Sequence, residues 1–168
     1  MPKSSILDNR RRKVEEAVVR LLTKRRQTLA LAESCTGGFI AHRVTNVPGA
    51  SAVFLGGLVA YSNAAKQKFL NVNAETLARH GAASKAVACE MAEQAREKFG
   101  ADFAIAVTGI AGPTGGTKAK PLGTVFIALT GAHGTVVERK LNVCGREQFK
   151  DLTTRQALEL LRARLVRD

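Results

Sequence analysis

The chain has 168 residues, of which 45% are hydrophobic and 24% are charged, and its formal net charge is +12. This length and composition are typical of one soluble domain with its own core, so a single domain over residues 1–168 is predicted. No apolar run is long enough to cross a membrane, and the basic N-terminus lacks the apolar segment of a secretory signal. Three scattered cysteines without CxxC spacing disfavour a disulfide framework and a structural zinc site, so a cytoplasmic location is expected.

The positive charge is concentrated at the two ends of the chain. Residues 1–26 carry nine basic and three acidic side chains, and residues 139–168 carry eight and four. Basic patches can bind nucleic acid, but neither end contains an arginine-rich motif interleaved with aromatic residues. We therefore interpret the charge as the solvated faces of two amphipathic helices and do not expect nucleic-acid binding.

Helix and strand patterns alternate along the first half of the chain. A helix with one apolar stripe is predicted from the basic cluster Arg10–Lys13 to the cluster Lys24–Arg26. The segments that follow are a strand over 27–32, a helix from about 36 to 47, an apolar strand over 53–61, and short helices over 63–70 and 73–80. Ser84 is a suitable N-cap for a longer helix that ends near residue 99.

The second half contains a buried strand, a long loop, a hairpin and a last helix. The strand spans 102–108, and the loop over 109–121 is rich in glycine and contains two prolines. Residues 124–129 and 136–141 have strand patterns, with a link between them short enough for an antiparallel hairpin. The helix spans about 146–166. Because helices and strands alternate, the predicted fold is α/β, a three-layer α/β/α sandwich on a mixed, mostly parallel sheet.

Two loops with hydroxyls and glycines each follow a strand that reads as buried on both faces. In open α/β sheets, ligands bind beyond the carboxyl ends of strands. In the first loop, Ala32–Gly38, Ser34 lies at a strand end just before Gly37 and Gly38. This serine could be an exposed nucleophile, and the helix start behind it could stabilise an oxyanion or hold a phosphate.

The second loop, Thr108–Gly116, resembles a phosphate-binding loop only in part. Thr117 stands where a P-loop has its last glycine, and Pro113 removes a backbone donor. No GxGxxG follows the first strand, so a nucleoside-triphosphatase or dinucleotide site is not expected. Judged alone, the glycines of this loop could either form tight turns or bring backbone N–H groups to an anion.

A nucleophilic serine needs a base, and the histidines do not provide one in an obvious triad. His42 falls in a predicted helix and His133 at a hairpin tip, and no HxH or HExxH spacing offers metal ligands. Lys66 follows Tyr61 by five residues, and a desolvated lysine can act as a base. From spacing alone, a surface lysine and an anchoring tyrosine are the favoured interpretation of these two residues.

Six motifs occur in the order typical of one protein family. They are AESCTGG, PGAS, GGLVAYSNAAK, HGAAS, TGIAGPTGG and GTVFIAL. Over about residues 12–165 the chain resembles the CinA C-terminal family, which includes nicotinamide-nucleotide amidases. The resemblance implies an α/β/α sandwich that hydrolyses the carboxamide of nicotinamide mononucleotide to nicotinate mononucleotide and ammonia. It also implies a homodimer that uses neither a metal nor another cofactor.

The resemblance also implies roles for individual residues. Ser34 matches the nucleophile, and Lys66 and Tyr61 match its base and proton relay. Arg146, at the start of the last helix, resembles a substrate-binding arginine, and a guanidinium suits a phosphate. The remaining positions implied to bind substrate or to shape the anion and oxyanion sites are Thr36, Gly37, Gly38, Ser51, Thr108, Gly109 and Gly112.

Two other functions remain open at this stage. A non-catalytic nucleotide-binding module would keep the glycine loops without any need for Lys66 to titrate. A nucleic-acid-associated protein would instead use the basic end helices, and its binding to duplex DNA would fall steeply with salt.

Overall fold

The computed structural model describes residues 13–167, so most of the basic cluster predicted to open the first helix, Arg10–Arg12, lies outside the described residues. The helices are α1 (Val14–Arg25), α2 (Phe39–Thr45), α3 (Asn63–Leu70), α4 (Ala74–His80), α5 (Lys85–Phe99) and α6 (Arg146–Arg167), with a 3-10 turn at Ala50–Ala52. The strands are β1 (Leu29–Glu33), β2 (Phe54–Val59), β3 (Phe103–Gly109), β4 (Thr124–Gly131) and β5 (Gly134–Leu141). No helix in this part of the chain is long and apolar enough to span a membrane.

The five strands form one mixed sheet in the order β2-β1-β3-β4-β5. β1 pairs in parallel with β2 and β3, whereas β4 pairs antiparallel with β3 and β5. Four strands therefore point the same way and β4 opposes them, which confirms the predicted mixed, mostly parallel sheet. The predicted hairpin is β4–β5, with a tighter turn than expected because Gly131 and Gly134 already pair.

The two central strands are buried on both faces, and their side chains sort by size. Leu29, Leu31, Ile105 and Val107 lie in one core with α1, α2 and α6. The alternate positions of the same strands are alanines, which lie in a second core with α5. Because side chains alternate across a sheet, one run of small apolar residues builds both cores. The predicted three-layer sandwich is confirmed.

A partly buried ion-pair network fixes α2 to the helices beside it. The Arg43 guanidinium donates to Glu15 of α1 at 2.9 and 2.8 Å and to Asp151 of α6 at 2.7 Å. Burial is the largest single effect and raises the pKa of Glu15, but the hydrogen bonds and charge of Arg43, a backbone hydrogen bond and the charge of Lys13 together outweigh it, so the pKa is lowered. The bidentate geometry thus orients the helix that begins just after the first glycine loop.

The topology brings three predicted site residues to one edge of the sheet. β1, β2 and β3 run in parallel, so their carboxyl ends lie together, and they lead to Ser34, Tyr61 and Thr108 respectively. The second loop leaves this edge at Gly109, where an added Cβ would lie 2.6 Å from the carbonyl oxygen of Thr124. Only glycine fits this close approach of β3 to β4.

Candidate active site

A cavity of about 560 Å³ opens at the carboxyl ends of β1, β2 and β3. Its volume is in the range of small-molecule sites. Among residues 13–167, its walls include Lys66, Lys120 and Arg146 but no carboxylate. The other lining residues are Ser34, Cys35, Tyr61, Gly81, Ala82, Ala83, Thr108, Gly109, Ile110, Ala111, Gly112, Thr114, Gly115 and Thr117. The cavity therefore favours an anionic ligand.

Ser34 and Lys66 are in direct contact inside this cavity. The Lys66 amine lies 2.9 Å from Ser34 Oγ, and it donates to the backbone carbonyls of Ala60 at 3.0 Å and Tyr61 at 3.2 Å. Lys66 is only 1% exposed. Its helix, α3, is capped by Ser62, whose hydroxyl accepts the Ala65 N–H. The structure thus brings together the predicted nucleophile and the predicted base, which lie 32 residues apart in the chain.

Burial shifts the pKa of both ionisable groups beside Ser34. Desolvation lowers the pKa of Lys66, and the opposing contribution from Cys35 requires a thiolate. Desolvation also raises the pKa of Cys35 to about 12, so this side chain stays a neutral thiol. A lysine that loses its proton more readily can accept one from Ser34, whereas a neutral thiol is a poor nucleophile.

The N-terminus of α2 is already occupied by a carboxylate of the protein. Glu33, the last residue of β1, is 1% exposed. Its side chain accepts the N–H groups of Gly38 at 3.0 Å, Ile40 at 3.1 Å and Ala41 at 2.8 Å. A helix N-terminus attracts negative charge, and here Glu33 supplies it internally. A carboxylate of the protein thus occupies the helix start that was predicted to hold the substrate anion.

Three predicted binding positions belong to this internal arrangement. The Thr36 hydroxyl donates to Glu33 at 2.6 Å, and Thr36 is fully buried. The Gly37 N–H donates to the Ser34 carbonyl, and the Gly38 N–H is taken by Glu33. These residues shape the loop that presents Ser34 but do not line the cavity. Glu33 was missed, although a carboxylate just before a predicted helix start is a recognisable signal.

Two other backbone donors lie beside Ser34. Among the described residues, no oxygen accepts the N–H of Cys35 or of Thr36, and only the neutral Cys35 sulfur is near them. Because Cys35 lines the cavity and Thr36 does not, the Cys35 N–H replaces those of Gly37 and Gly38 as the candidate for an oxyanion hole.

The third strand and the loop after it form the opposite wall. The Thr108 hydroxyl, 2% exposed, donates to the Ala82 carbonyl at 2.8 Å and so holds the segment 81–83 against the cavity. Within the described chain, no acceptor takes the backbone N–H groups of Ala111, Gly112 or residues 114–116. This loop therefore offers several free donors to an anion, among them the predicted Gly112, whereas the predicted Gly109 lies in β3 and pairs with Val125 of β4.

Tyr61 and Arg146 contact each other at the mouth of the cavity. Arg146 donates one hydrogen bond to the Tyr61 hydroxyl and another to the Gly112 carbonyl. The Tyr61 ring is at the surface, with 57% of the residue exposed, and only its backbone carbonyl contacts Lys66. In this arrangement the phenol makes no hydrogen bond to Ser34 or Lys66, and the arginine binds protein groups instead of a ligand.

Ser51 lies at the other end of the sheet. It belongs to the 3-10 turn that precedes β2, whereas Tyr61 follows β2 at the cavity. Six residues of strand separate the two by about 20 Å, so the structure does not bring Ser51 to this cavity. The PGAS motif resembles the family's, but motif matching does not show which edge of a sheet a turn occupies.

Lys120 lines the cavity and was not predicted as a site residue. Its amine donates to the His80 carbonyl at 2.6 Å. The turn that carries it is fixed by hydrogen bonds between Thr117 and Lys120. No group of three or more potential metal ligands occurs among residues 13–167.

Comparisons with known proteins identify one family. The family model described as the CinA C-terminal domain matches residues 11–165. A "CinA-like protein" of Parasynechococcus marenigrum is 52% identical over 151 residues, and one of Thermotoga maritima is 49% identical over 150 residues. These alignments cover 89% of this chain and 36% of each relative. The chain thus spans about a third of the length of these curated relatives.

Solved structures agree with the sequence relatives. A CinA superfamily protein from Klebsiella pneumoniae superimposes with a TM-score of 0.89 at 35% identity, covering 92% of this chain and 97% of the other. A competence/damage inducible protein from Agrobacterium tumefaciens superimposes with a TM-score of 0.84 at 41% identity, covering 89% and 94%. The α/β fold is therefore shared over nearly the whole of both solved chains.

Proposed function

Because the chain belongs to the CinA C-terminal domain family, we propose that it hydrolyses the carboxamide of nicotinamide mononucleotide. The products are nicotinate mononucleotide and ammonia. The observation that carries the proposal is the buried contact of 2.9 Å between the Lys66 amine and Ser34 Oγ. A nucleophile within hydrogen-bond reach of a base of lowered pKa is the arrangement that amide cleavage requires.

In the first half-reaction, Ser34 Oγ attacks the carboxamide carbon while neutral Lys66 takes the serine proton. The negative charge that develops on the carboxamide oxygen is stabilised by the N–H group of Cys35, which lines the cavity. As the tetrahedral intermediate collapses, the C–N bond breaks and the proton held by Lys66 passes to the leaving nitrogen. Ammonia departs, and the nicotinoyl group remains as an ester of Ser34.

In the second half-reaction, water completes the hydrolysis. Lys66, neutral again, takes a proton from water as the oxygen attacks the ester carbon. The ester bond breaks, the proton returns to Ser34, and nicotinate mononucleotide leaves. The Lys66 amine has no carboxylate partner in the cavity that would hold it protonated, so it can accept a proton in both halves.

The rest of the nucleotide fits the opposite wall and the mouth of the cavity. Its phosphate needs several donors and positive charge, which the free N–H groups of Ala111, Gly112 and residues 114–116 supply together with Lys120 and Arg146. The absence of acidic side chains from the lining avoids repulsion of a dianion. A homodimer and a cytoplasmic location remain predictions.

The deciding experiment is ammonia release from nicotinamide mononucleotide by the purified protein, with product identified as nicotinate mononucleotide. We expect turnover in the presence of a chelator, since Ser34 and Lys66 supply the nucleophile and the base. Turnover that is lost in EDTA and restored by a divalent ion would contradict the Ser34–Lys66 mechanism. Binding of the nucleotide without any ammonia release would favour a non-catalytic nucleotide-binding module.

A further inference from the structure

The hydrogen bonds of Arg146 connect the anion site to the proton-transfer machinery. One guanidinium nitrogen contacts the Tyr61 hydroxyl and the other contacts the Gly112 carbonyl, and both partners are neutral. A phosphate adds Coulomb attraction and a bidentate geometry that these neutral acceptors lack. A phosphate at the cavity mouth therefore competes well for the same two guanidinium donors, and its binding would free the phenol.

Tyr61 is positioned to use that freedom. Its backbone is fixed beside Ser34 and Lys66, the proposed catalytic dyad, because its carbonyl accepts a hydrogen bond from the Lys66 amine at 3.2 Å. Its ring is 57% exposed, so rotation about the side-chain bonds meets little packing resistance. The resting position of its hydroxyl is thus set by Arg146, whereas the position of its Cα is set by the catalytic site.

We propose that Arg146 is a specificity-determining residue. It holds Tyr61 away from Ser34 and Lys66 until the substrate's phosphate displaces the Tyr61 hydroxyl from the Arg146 guanidinium. The phosphate takes the guanidinium, and the released phenol turns inward to the leaving nitrogen. There Tyr61 donates its proton to the departing ammonia while it receives one from protonated Lys66, so no net charge is created. This inference rests on the proposed amidase function and adds to it a link between phosphate recognition and turnover.

The proposal makes a distinction that simple phosphate binding does not. If Arg146 only bound the phosphate, a substrate without phosphate would have a raised KM and an unchanged kcat. If Arg146 also releases Tyr61, nicotinamide riboside has a lowered kcat as well. Inorganic phosphate added separately should then restore part of that kcat, since it can occupy the site that the riboside leaves empty.

The chain offers an optical probe for the movement itself. Tyr61 is its single tyrosine and it has no tryptophan, so intrinsic fluorescence excited near the tyrosine band reports on this side chain alone. We expect inorganic phosphate to change the emission saturably in the wild-type protein and not in Arg146→Ala. Arg155→Ala, an exposed arginine on the same helix, is the matched control and should respond like the wild type.

The kinetic arm uses nicotinamide riboside with increasing inorganic phosphate. We expect kcat to rise by about tenfold in the wild type, in line with a general-acid contribution, and to stay constant in Arg146→Ala and Tyr61→Phe. A riboside kcat equal to that of the mononucleotide, or a fluorescence change that persists in Arg146→Ala, would overturn the inference. If the mononucleotide is not hydrolysed, the proposed function fails, while the fluorescence arm still decides whether phosphate displaces Arg146 from Tyr61.

Discussion

At the scale of single residues, the chemistry depends on how far Lys66 is removed from water. Burial lowers the pKa of its amine, and only the neutral form can accept the Ser34 proton. Activity should therefore rise with pH through the pKa of folded Lys66, which lies below that of a free lysine. Lys66→Arg should lose nearly all turnover because arginine cannot release its proton near neutral pH.

The measurement is kcat for nicotinamide mononucleotide across the neutral to alkaline range. Circular dichroism and thermal unfolding of Lys66→Arg control for a misfolded variant. A variant that is folded and keeps wild-type turnover would mean that residue 66 contributes only positive charge.

Adjacent Ser34 and Cys35 should differ in function although both line the cavity. Ser34→Ala should abolish the covalent route, whereas Cys35→Ala should retain most of the activity, since a thiol whose pKa is about 12 is not ionised near neutral pH. For the same reason, alkylation of Cys35 by iodoacetamide should be slow. The roles would be reversed if Ser34→Ala stayed active and turnover fell in proportion to labelling of Cys35.

At the scale of structural elements, Glu33 joins the end of β1 to the start of α2. Its carboxylate accepts the Thr36 hydroxyl and the backbone N–H groups of Gly38, Ile40 and Ala41. Thr36 and Gly38 lie within five residues of the nucleophile Ser34. Glu33→Gln keeps the shape but removes the negative charge and one acceptor oxygen. We expect it to destabilise the fold by about 1.5–3 kcal/mol and to lower kcat, because the loop that presents Ser34 loses its anchor.

Denaturant unfolding measures the stability change for Glu33→Gln. Glu16→Gln is the matched control, because Glu16 also lies close to a helix N-terminus, in the first turn of α1, but is exposed. It should cost less than about 1 kcal/mol. Equal effects of the two substitutions would show that Glu33 acts only through the helix dipole and not as an internal ligand of the loop.

Most element positions could be predicted because their patterns are local. The alternation of large aliphatic residues and alanines in β1 and β3 predicts a strand with two covered faces, and Ser84 does cap α5. The start of α2 is later than predicted, at Phe39, because Gly37 and Gly38 adopt left-handed φ values of 62° and 94°. Such a loop precedes the helix instead of forming its first turn.

The candidate site was less predictable, because it depends on contacts distant in sequence. The Tyr61–Arg146 contact joins residues 85 positions apart, and neither its existence nor its competition with a ligand has a sequence signal. The sequence also could not show that the anion at the N-terminus of α2 is the Glu33 carboxylate and not a bound ligand. Family motifs predicted that Ser34 and Lys66 act together, but they gave no sign that Ser51 lies in a turn at the opposite end of the sheet.

At the scale of the whole molecule, positive charge is concentrated in two separate places, the cavity and the terminal segments of the chain. The cavity combines Lys66, Lys120 and Arg146 with no carboxylate in its lining, so it attracts an anionic nucleotide locally. The excess positive charge of the full sequence lies mainly in the terminal segments. In the described residues these segments include α1 and α6, which pack in the layer on one face of the sheet.

This separation predicts that the exposed charge of the terminal helices is dispensable for catalysis. Combining Arg20→Ala, Lys24→Ala and Arg155→Ala should leave kcat/KM for nicotinamide mononucleotide within about twofold, because exposed charges beyond about 8–10 Å are screened at physiological salt. The same variant and the wild type should bind duplex DNA equally weakly in a salt titration. Tight wild-type DNA binding that falls steeply with salt and disappears in the variant would instead assign these helices to nucleic acid, since the salt dependence of binding grows with the number of DNA phosphates that basic side chains neutralise.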